Sequence, residues 1–297
     1  MVVSDKTKGV FWMLISVLGF TFMGVAVKYL PRIPTYEKVF FRNSVSFILS
    51  AYILYRQKES IKVAKENIPF VFGRSFFGFV GMVANFYALE NLTMAEANML
   101  NKLSPVFVTI CACIFLKEKV DKKQVIGIIL MLMAVVFVIK PSFSPEVIPS
   151  LVGLFSAILA GFSYTIIRYL HGKVKSEINV FYFSLLSVIC TFPLMMMNFV
   201  KPNLFEVFML IVGIGVSAAM GQFGLTYAYT FAPASEVSIY NYVIIITSML
   251  MDYILFRTIP DLFSFIGGFI IITTAIYLYL HNKKKDGYLS NSVDKKV

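Results

Sequence analysis

The sequence predicts an all-α integral membrane protein with ten transmembrane helices, arranged as two inverted five-helix repeats. Of its 297 residues, 58% are hydrophobic and 14% are charged, whereas soluble domains carry about 25% charged residues. The chain also repeats itself with an offset of 140 residues, which aligns Tyr87 with Tyr227 and Asp121 with Asp261. An odd number of crossings per copy would insert the second copy from the opposite side of the membrane.

Membrane-length apolar segments set the boundaries of the two copies. A crossing helix needs about 20 apolar residues, and ten segments meet that length approximately. They are 9–30, 38–55, 68–90, 95–116, 124–140, 149–170, 178–200, 205–229, 235–256 and 262–281. We therefore expect a first repeat over 1–145, a second over 146–282 and a disordered cytoplasmic tail over 283–297.

The distribution of Lys and Arg in the short connections predicts the orientation. The termini and the even-numbered connections hold 17 of these cations, and the odd-numbered connections hold five. Because cations favour the cytoplasmic side, we expect a multi-pass protein of the plasma membrane with both termini in the cytoplasm. The net charge of +11 is spread between the apolar segments, which argues against a nucleic-acid partner.

The sequence contains no pattern that would predict an enzyme. It lacks a Gly-rich phosphate loop, His-Glu-x-x-His and Gly-x-Ser-x-Gly, and its two histidines lie at the ends of apolar segments. No Cys and His spacing indicates a metal site. We expect no catalytic residues, no metal and no cofactor.

Three cations within the apolar segments are candidates for binding a substrate. Lys102 lies about seven residues into the fourth segment, hence about 10 Å deep, without an acid at helical spacing. Arg42 and Arg74 lie nearer to segment ends. All three could instead extend to the membrane surface or pair with another helix. If they face a cavity, they favour an anionic or zwitterionic substrate.

Neutral polar residues of the repeated segments predict a site between the two halves. Asn98, Asn101 and Lys102 share one helical face, and the second copy places Ser238, Asn241 and Tyr242 at the equivalent positions. The alternative is ordinary hydrogen bonding between helices. The full set of candidate substrate-binding residues is Arg42, Arg74, Asn85, Asn98, Asn101, Lys102, Gln222, Tyr227, Tyr240, Asn241 and Tyr242.

Three acids are candidates for binding a coupling proton or ion. Glu37 precedes the second segment, Glu236 opens the ninth, and Asp252 lies near the end of the ninth beside Arg257. A local ion pair between Asp252 and Arg257 is the structural alternative. Glu96 follows Thr93 at the spacing of a helix capping box, so we expect it to cap a helix.

The chain resembles the drug/metabolite transporter superfamily, EamA type, over essentially its whole length. The motifs that carry the resemblance are Lys28-Tyr-Leu-Pro31, Val39-Phe-Phe-Arg-Asn43, Arg74, Phe86-Tyr-Ala-Leu89, Ala95-Glu-Ala97, Ser104-Pro-Val-Phe107, Leu116-Lys-Glu-Lys119, Gly221-Gln222, Tyr227-Ala-Tyr229 and Ala232-Pro-Ala-Ser235. The resemblance implies two inverted five-helix repeats around a central cavity, with segments 5 and 10 at the periphery. The halves are not identical, because Glu118 aligns with Thr258 and Lys102 with Tyr242.

These observations predict a secondary transporter that carries a small polar metabolite by alternating access. Its partners would be that substrate, membrane lipid and a coupling proton or ion, and a homodimer is left open. One alternative is an exporter of organic cations or drugs that uses the acids and aromatic walls. Another is a lipid-handling protein of the scramblase kind.

Overall fold

The protein is helical throughout the part of the chain that can be described. The computed structural model describes residues 5–115, 117, 120–140, 147–170, 172–232 and 237–293, and these residues form no strand. In chain order the helices are α1 Asp5–Lys28, α2 Thr35–Arg56, α3 Ile68–Asn91, α4 Met94–Asn101, α5 Ser104–Phe115, α6 Lys122–Ile139, α7 Ile148–Leu170, α8 Ser176–Met197, α9 Leu204–Phe208, α10 Ser217–Phe231, α11 Val243–Met251 and α12 Leu262–Val293.

Nine helical stretches in the described residues are long and apolar enough to cross a membrane. They are Asp5–Lys28, Lys65–Asn91, Met94–Phe115, Lys122–Ile139, Ile148–Leu170, Ser176–Met197, Leu204–Ala228, Ser238–Phe256 and Leu262–His281. The prediction of a multi-pass membrane protein is therefore confirmed. Helix α2 has 22 residues, but Glu37, Lys38 and Arg42 make its first half polar. The tenth span stays a prediction.

Two of the spanning stretches change helical geometry along their length. A π-helical segment, Met209–Val216, joins α9 to α10, and another, Asp252–Phe256, follows α11. A 3-10 segment, Ser238–Tyr242, precedes α11. Such deviations change the angular spacing of side chains and often occur at functional sites.

The helices pack in pairs that are far apart in sequence. Helix α3 packs on α7, α1 on α10, α2 on α8 and α6 on α12. Helix α4 packs on α11, and α5 on α7. These contacts bury two large apolar clusters. One includes Met99 and Ile271, and the other includes Val27 and Phe86.

The last helix continues beyond the apolar segment that defines the expected tenth span. It ends at Val293, so the backbone of 283–293 is helical where we expected disorder. No proline interrupts the chain after His281, so the backbone hydrogen bonds of the preceding turns can continue. Residues 294–297 lie outside the described residues.

Candidate functional site

A polar cavity lies inside the helical bundle. Its interior volume is about 150 Å³, well below the roughly 300–1,000 Å³ of pockets that bind drug-sized ligands. Its walls come from α1, α2, α3, the α4–α5 region, α7, α8, α10, α11 and the 3-10 segment before α11. It contains eight of the predicted site residues: Arg42, Arg74, Asn85, Asn98, Asn101, Lys102, Gln222 and Asn241.

Two arginines approach the same phenyl ring in this cavity. The guanidinium carbon of Arg74 lies 4.2 Å from the centre of the Phe183 ring, and that of Arg42 lies 5.5 Å from it. Both residues are about 95% buried. Attraction to the face of the ring partly replaces the water that each guanidinium has lost.

The spacing of residues along α3 explains why Arg74 reaches the cavity. Arg74, Gly78, Gly81 and Asn85 follow one another at intervals of four, three and four residues and line the same wall. A side chain at Gly78 would begin 3.1 Å from Nη1 of Arg74. The Ser163 hydroxyl of α7 also donates a hydrogen bond to the Arg74 carbonyl, at 3.0 Å.

Lys102 sits at an interruption between α4 and α5. Pro105 has no N–H to donate to the carbonyl of Asn101, so the regular hydrogen-bond pattern stops at this turn. Lys102 Nζ donates a hydrogen bond to Asn241 Oδ1 at 3.0 Å. Asn241 belongs to the 3-10 segment before α11. The cavity therefore brings together the two residues that the repeat analysis selected from opposite halves.

A second amide contact joins the same two regions beside the cavity. Asn98 Nδ2 donates to Ser248 Oγ at 2.8 Å and to the Met94 carbonyl at 2.9 Å. Asn98 thus has a structural role, as the alternative interpretation anticipated, even though it also lines the cavity.

The described part of the cavity lining contains cations and no carboxylate. Arg42, Arg74 and Lys102 line the cavity, and no Asp or Glu is among its described lining residues. None of the three forms a salt bridge within the described part of the chain. Among the described residues, Nε of Arg42, Nε and Nη1 of Arg74, and Oδ1 of Asn85 are buried and have no hydrogen-bond partner. Groups in this state are suited to bind a ligand.

The three predicted tyrosines lie outside the cavity lining. Tyr227 packs against Trp12 with the two rings tilted and 5.1 Å between their centres. Tyr240 packs against a small cluster that includes Met13 and Val237, and Tyr242 against the larger cluster that includes Met99. A 3-10 segment turns about 120° per residue instead of 100°, so side chains expected on one α-helical face diverge.

Two of the three candidate coupling acids, Glu37 and Asp252, are also outside the cavity lining. Glu37 is fully buried; its Oε2 accepts a hydrogen bond from the Val200 N–H at 3.3 Å, and its Oε1 has no partner. Asp252 is fully buried and accepts hydrogen bonds from the N–H groups of Met94 and Ala95, at 3.1 and 2.8 Å. It therefore caps α4 and does not pair with Arg257. Glu236 lies outside the described residues.

Acids and bases are paired at one end of the bundle, which we call the clasped end. It is the end where α1 and α3 finish and α2 and α4 begin. Its ion pairs are Arg32–Glu206, Lys38–Glu90, Lys140–Glu96 and Lys140–Asp261. The predicted capping box of Thr93 and Glu96 is confirmed there. Together with Asp252, these contacts connect helices from both halves of the sequence.

Sequence reasoning missed several residues of the cavity wall. Ser163, Tyr164 and Phe183 line it from α7 and α8. None belongs to the repeated polar segments, and an apolar Phe carries no polar signal. No cluster of three or more His, Cys, Asp and Glu residues that could hold a metal occurs in the described chain.

Comparison with known proteins identifies the family. The model of the EamA-like transporter family matches residues 7–140 and again 148–280. The chain belongs to the EamA-like transporter family. The resemblance noted in the sequence is thereby confirmed, and members of this family are transporters and not enzymes.

Curated EamA relatives cover almost the whole chain. A pseudopaline exporter, CntI, of Pseudomonas aeruginosa is 28% identical over 94% of this chain and 98% of its own length. An S-adenosylmethionine uptake transporter of Rickettsia conorii is 27% identical over 93% of this chain and 94% of its own length. A solved crystal structure superposes with a TM-score of 0.64 at 16% identity, covering 94% of this chain and 98% of the other. That similarity supports the fold.

Proposed function

We propose that this EamA-family protein is a secondary transporter that carries a small anionic or zwitterionic metabolite through the cavity by alternating access. The observation that carries the proposal is the excess of positive charge in the described lining. Arg42, Arg74 and Lys102 contribute three cations and no acid balances them. A cation near the bilayer centre costs at least about 2.5–3.5 kcal/mol, and an anionic substrate would offset that cost.

Packing supports an inverted repeat. An added Cβ at Gly81 would meet Leu159 and the backbone N of Ala160, and one at Gly221 would meet Phe20. The 140-residue offset of the repeat relates Gly81 to Gly221 and Phe20 to Ala160. Both contacts join the first half to the second, and exchanging the halves by the 140-residue offset turns the α3–α7 contact into the α10–α1 contact. Exchange of two such halves is the usual basis of alternating access.

The ends of α6 and α12 are also related by the 140-residue offset. Asp121 precedes α6 and pairs with His281 of α12 at 2.9 Å. Asp261, which is 140 residues further on, precedes α12 and pairs with Lys140 at the end of α6, at 2.8 Å. Two antiparallel helices joined at both ends would form a rigid peripheral pair, as the family resemblance implies for spans 5 and 10.

Transport would require contacts at the clasped end to break and re-form. Asp252 joins α4 to the segment after α11, and Lys38 joins α2 to Glu90 of α3. In the proposed topology the clasped end faces away from the cytoplasm, because the opposite end carries most of the loop cations. Both termini would then lie in the cytoplasm, with the protein in the plasma membrane.

Glu37 is our candidate for a coupling proton site. Its buried, unpartnered oxygen would be accommodated most easily in the protonated state. A proton gradient should drive transport by the wild type, and Glu37→Gln should remove that dependence while substrate counterflow continues. Glu66→Gln, at an exposed position before α3, is the control. An unchanged response of Glu37→Gln to the gradient would contradict this assignment.

The two relatives differ in direction, since one is named an exporter and the other an uptake transporter. The proposal therefore does not specify the direction of transport. Cation export is less favoured, because neither Glu37 nor Asp252 is among the cavity-lining residues.

Thermal shift of the purified protein tests the proposal. Small organic anions and amino acids should raise the unfolding temperature, and organic cations of matched size should not. Lys102→Ala should reduce the shift strongly, whereas Lys62→Ala, in an exposed loop, should retain it. Stabilisation by cations alone would overturn the proposal, and so would an unchanged shift with Lys102→Ala.

A further inference from the structure

We infer that the transported molecule carries at least two acidic groups, one bound by Arg42 and Arg74 and the other by Lys102. This inference rests on the proposed function and specifies its substrate class. It makes the substrate a small di- or tricarboxylate, or an acid of the same charge, and excludes simple monocarboxylates and zwitterions with a single acid group.

Charge balance is the first argument. With Arg42, Arg74 and Lys102 protonated, the described lining has a formal charge of +3. A monocarboxylate would leave two of these charges uncompensated in a membrane interior, where each is costly. A substrate with two or three acidic groups leaves one or none of these positive charges uncompensated. Each added acidic group should therefore make binding in the cavity more favourable.

The arginine pair forms the first binding position. Both guanidinium groups approach Phe183, and Nε of Arg42 together with Nε and Nη1 of Arg74 have no partner. One further N–H group of Arg42 is already fixed, because Nη1 donates to Asn43 Oδ1 at 2.8 Å. Guanidinium groups bind carboxylate or phosphate oxygens through pairs of N–H groups. The free donors are therefore numerous enough for one acidic group.

Lys102 is the second binding position, because its ammonium contacts Asn241 whereas the two guanidinium groups contact Phe183. It follows α4, whereas the arginine pair belongs to α2 and α3 and surrounds a ring of α8. The ammonium has three N–H donors, and the neutral Asn241 accepts from it. The remaining donors and the full charge are available for a second acidic group. Asn241 orients the ammonium without neutralising it.

An acceptor in the cavity wall adds a further requirement. Asn85 Oδ1 is buried without a partner, and Asn85 shares the α3 face with Arg74. An acceptor of this kind is satisfied by a hydroxyl or ammonium donor. We therefore expect hydroxy- or amino-substituted diacids to bind more tightly than the unsubstituted diacid.

A series of acids on closely matched carbon chains tests the number of charges. Equilibrium binding to the purified full-length protein would be measured with butyrate, succinate, malate and tricarballylate. Charged hydrogen bonds contribute about 1.5–3 kcal/mol each, so succinate should bind at least about tenfold more tightly than butyrate. Malate should bind more tightly than succinate. In Arg74→Gln and Lys102→Gln the preference for succinate over butyrate should disappear, whereas Lys62→Gln should keep it.

The outcomes separate this inference from the proposed function. If butyrate binds as tightly as succinate, the inference is wrong and the anion transporter stands. If none of the acids binds, the inference is wrong. If organic cations bind as well, the proposed anion transporter is also wrong. Arg74→Lys is the control for misfolding, because it keeps the positive charge. It should retain the preference for diacids that Arg74→Gln loses.

Discussion

The cavity and the clasped end contain charged residues in opposite situations. At the clasped end, Lys38 pairs with Glu90, Arg32 with Glu206, and the Asp252 carboxylate with two backbone N–H groups. In the cavity, Arg42 and Arg74 retain N–H groups without partners. Compensated charges hold helices together, whereas charges without a partner are costly to keep, and these are the charges that our proposal assigns to substrate binding. This difference allows a structural role to be distinguished from a binding role.

The largest expected effect is loss of transport from the cavity without loss of stability. In Lys102→Ala, removal of a membrane-buried cation should offset the lost hydrogen bond to Asn241. Counterflow of a bound anion in proteoliposomes should fall to background, while the unfolding temperature stays equal or rises. If Lys102→Ala unfolds, or if it transports normally, the assignment of a binding role to the cavity cation is contradicted.

The clasped end should respond in the opposite way. The side chain of Lys38 is 1% exposed, and Lys38→Met would leave the Glu90 carboxylate without its cation. Breaking a buried pair by removing one partner typically costs about 3–5 kcal/mol. Chemical denaturation should show this loss, and Lys38→Met with Glu90→Gln should recover most of it. A single variant as stable as the wild type would remove the distinction between the two regions.

Asp252 provides a smaller effect at the same end. Asp252→Ala would leave the N–H groups of Met94 and Ala95 without their acceptor. A buried polar group left without a partner costs about 1–3 kcal/mol. Hydrogen exchange should be faster at the first turn of α4, with Asp261→Ala as the comparison because Asp261 is half-exposed. Unchanged exchange at Met94 and Ala95 would show that Asp252 does not cap α4.

The smallest expected effect is a pH dependence at the end opposite the clasped one. The hydrogen bond with His281, together with the Gln124 N–H, lowers the pKa of Asp121 to about 2. A lowered carboxyl pKa adds stability above its ordinary value near 3.8, and this stability is lost as the pH falls toward 2. Because the side chain of Asp121 is partly exposed to solvent, the change should be small. Thermal unfolding of Asp121→Asn should lack this acid-dependent component, and a wild-type dependence that Asp121→Asn retains must have another source.

The sequence could predict which residues meet in the cavity where the repeat and the helical spacing agreed. Asn101, Lys102 and Asn241 are examples, because the duplicated segments place them on corresponding faces. Tyr242 was expected in the cavity but packs against an apolar cluster, because it belongs to a 3-10 segment. The periodicity of apolar residues in the sequence does not indicate such a segment. Asp252 was a candidate coupling site, with a local pair to Arg257 as the alternative, but its hydrogen bonds join segments 157 and 158 residues apart. Contacts at that separation depend on tertiary packing.

The most direct test of the central claim is the affinity for an anionic probe as the cavity cations are removed. Succinate binding would be measured with the wild type, with Arg42→Gln, Arg74→Gln and Lys102→Gln, and with the three changes combined. We expect each single change to weaken binding and the triple change to abolish it, while all variants remain folded. Binding by the triple variant at the wild-type affinity would contradict the assignment of this cavity as an anion site.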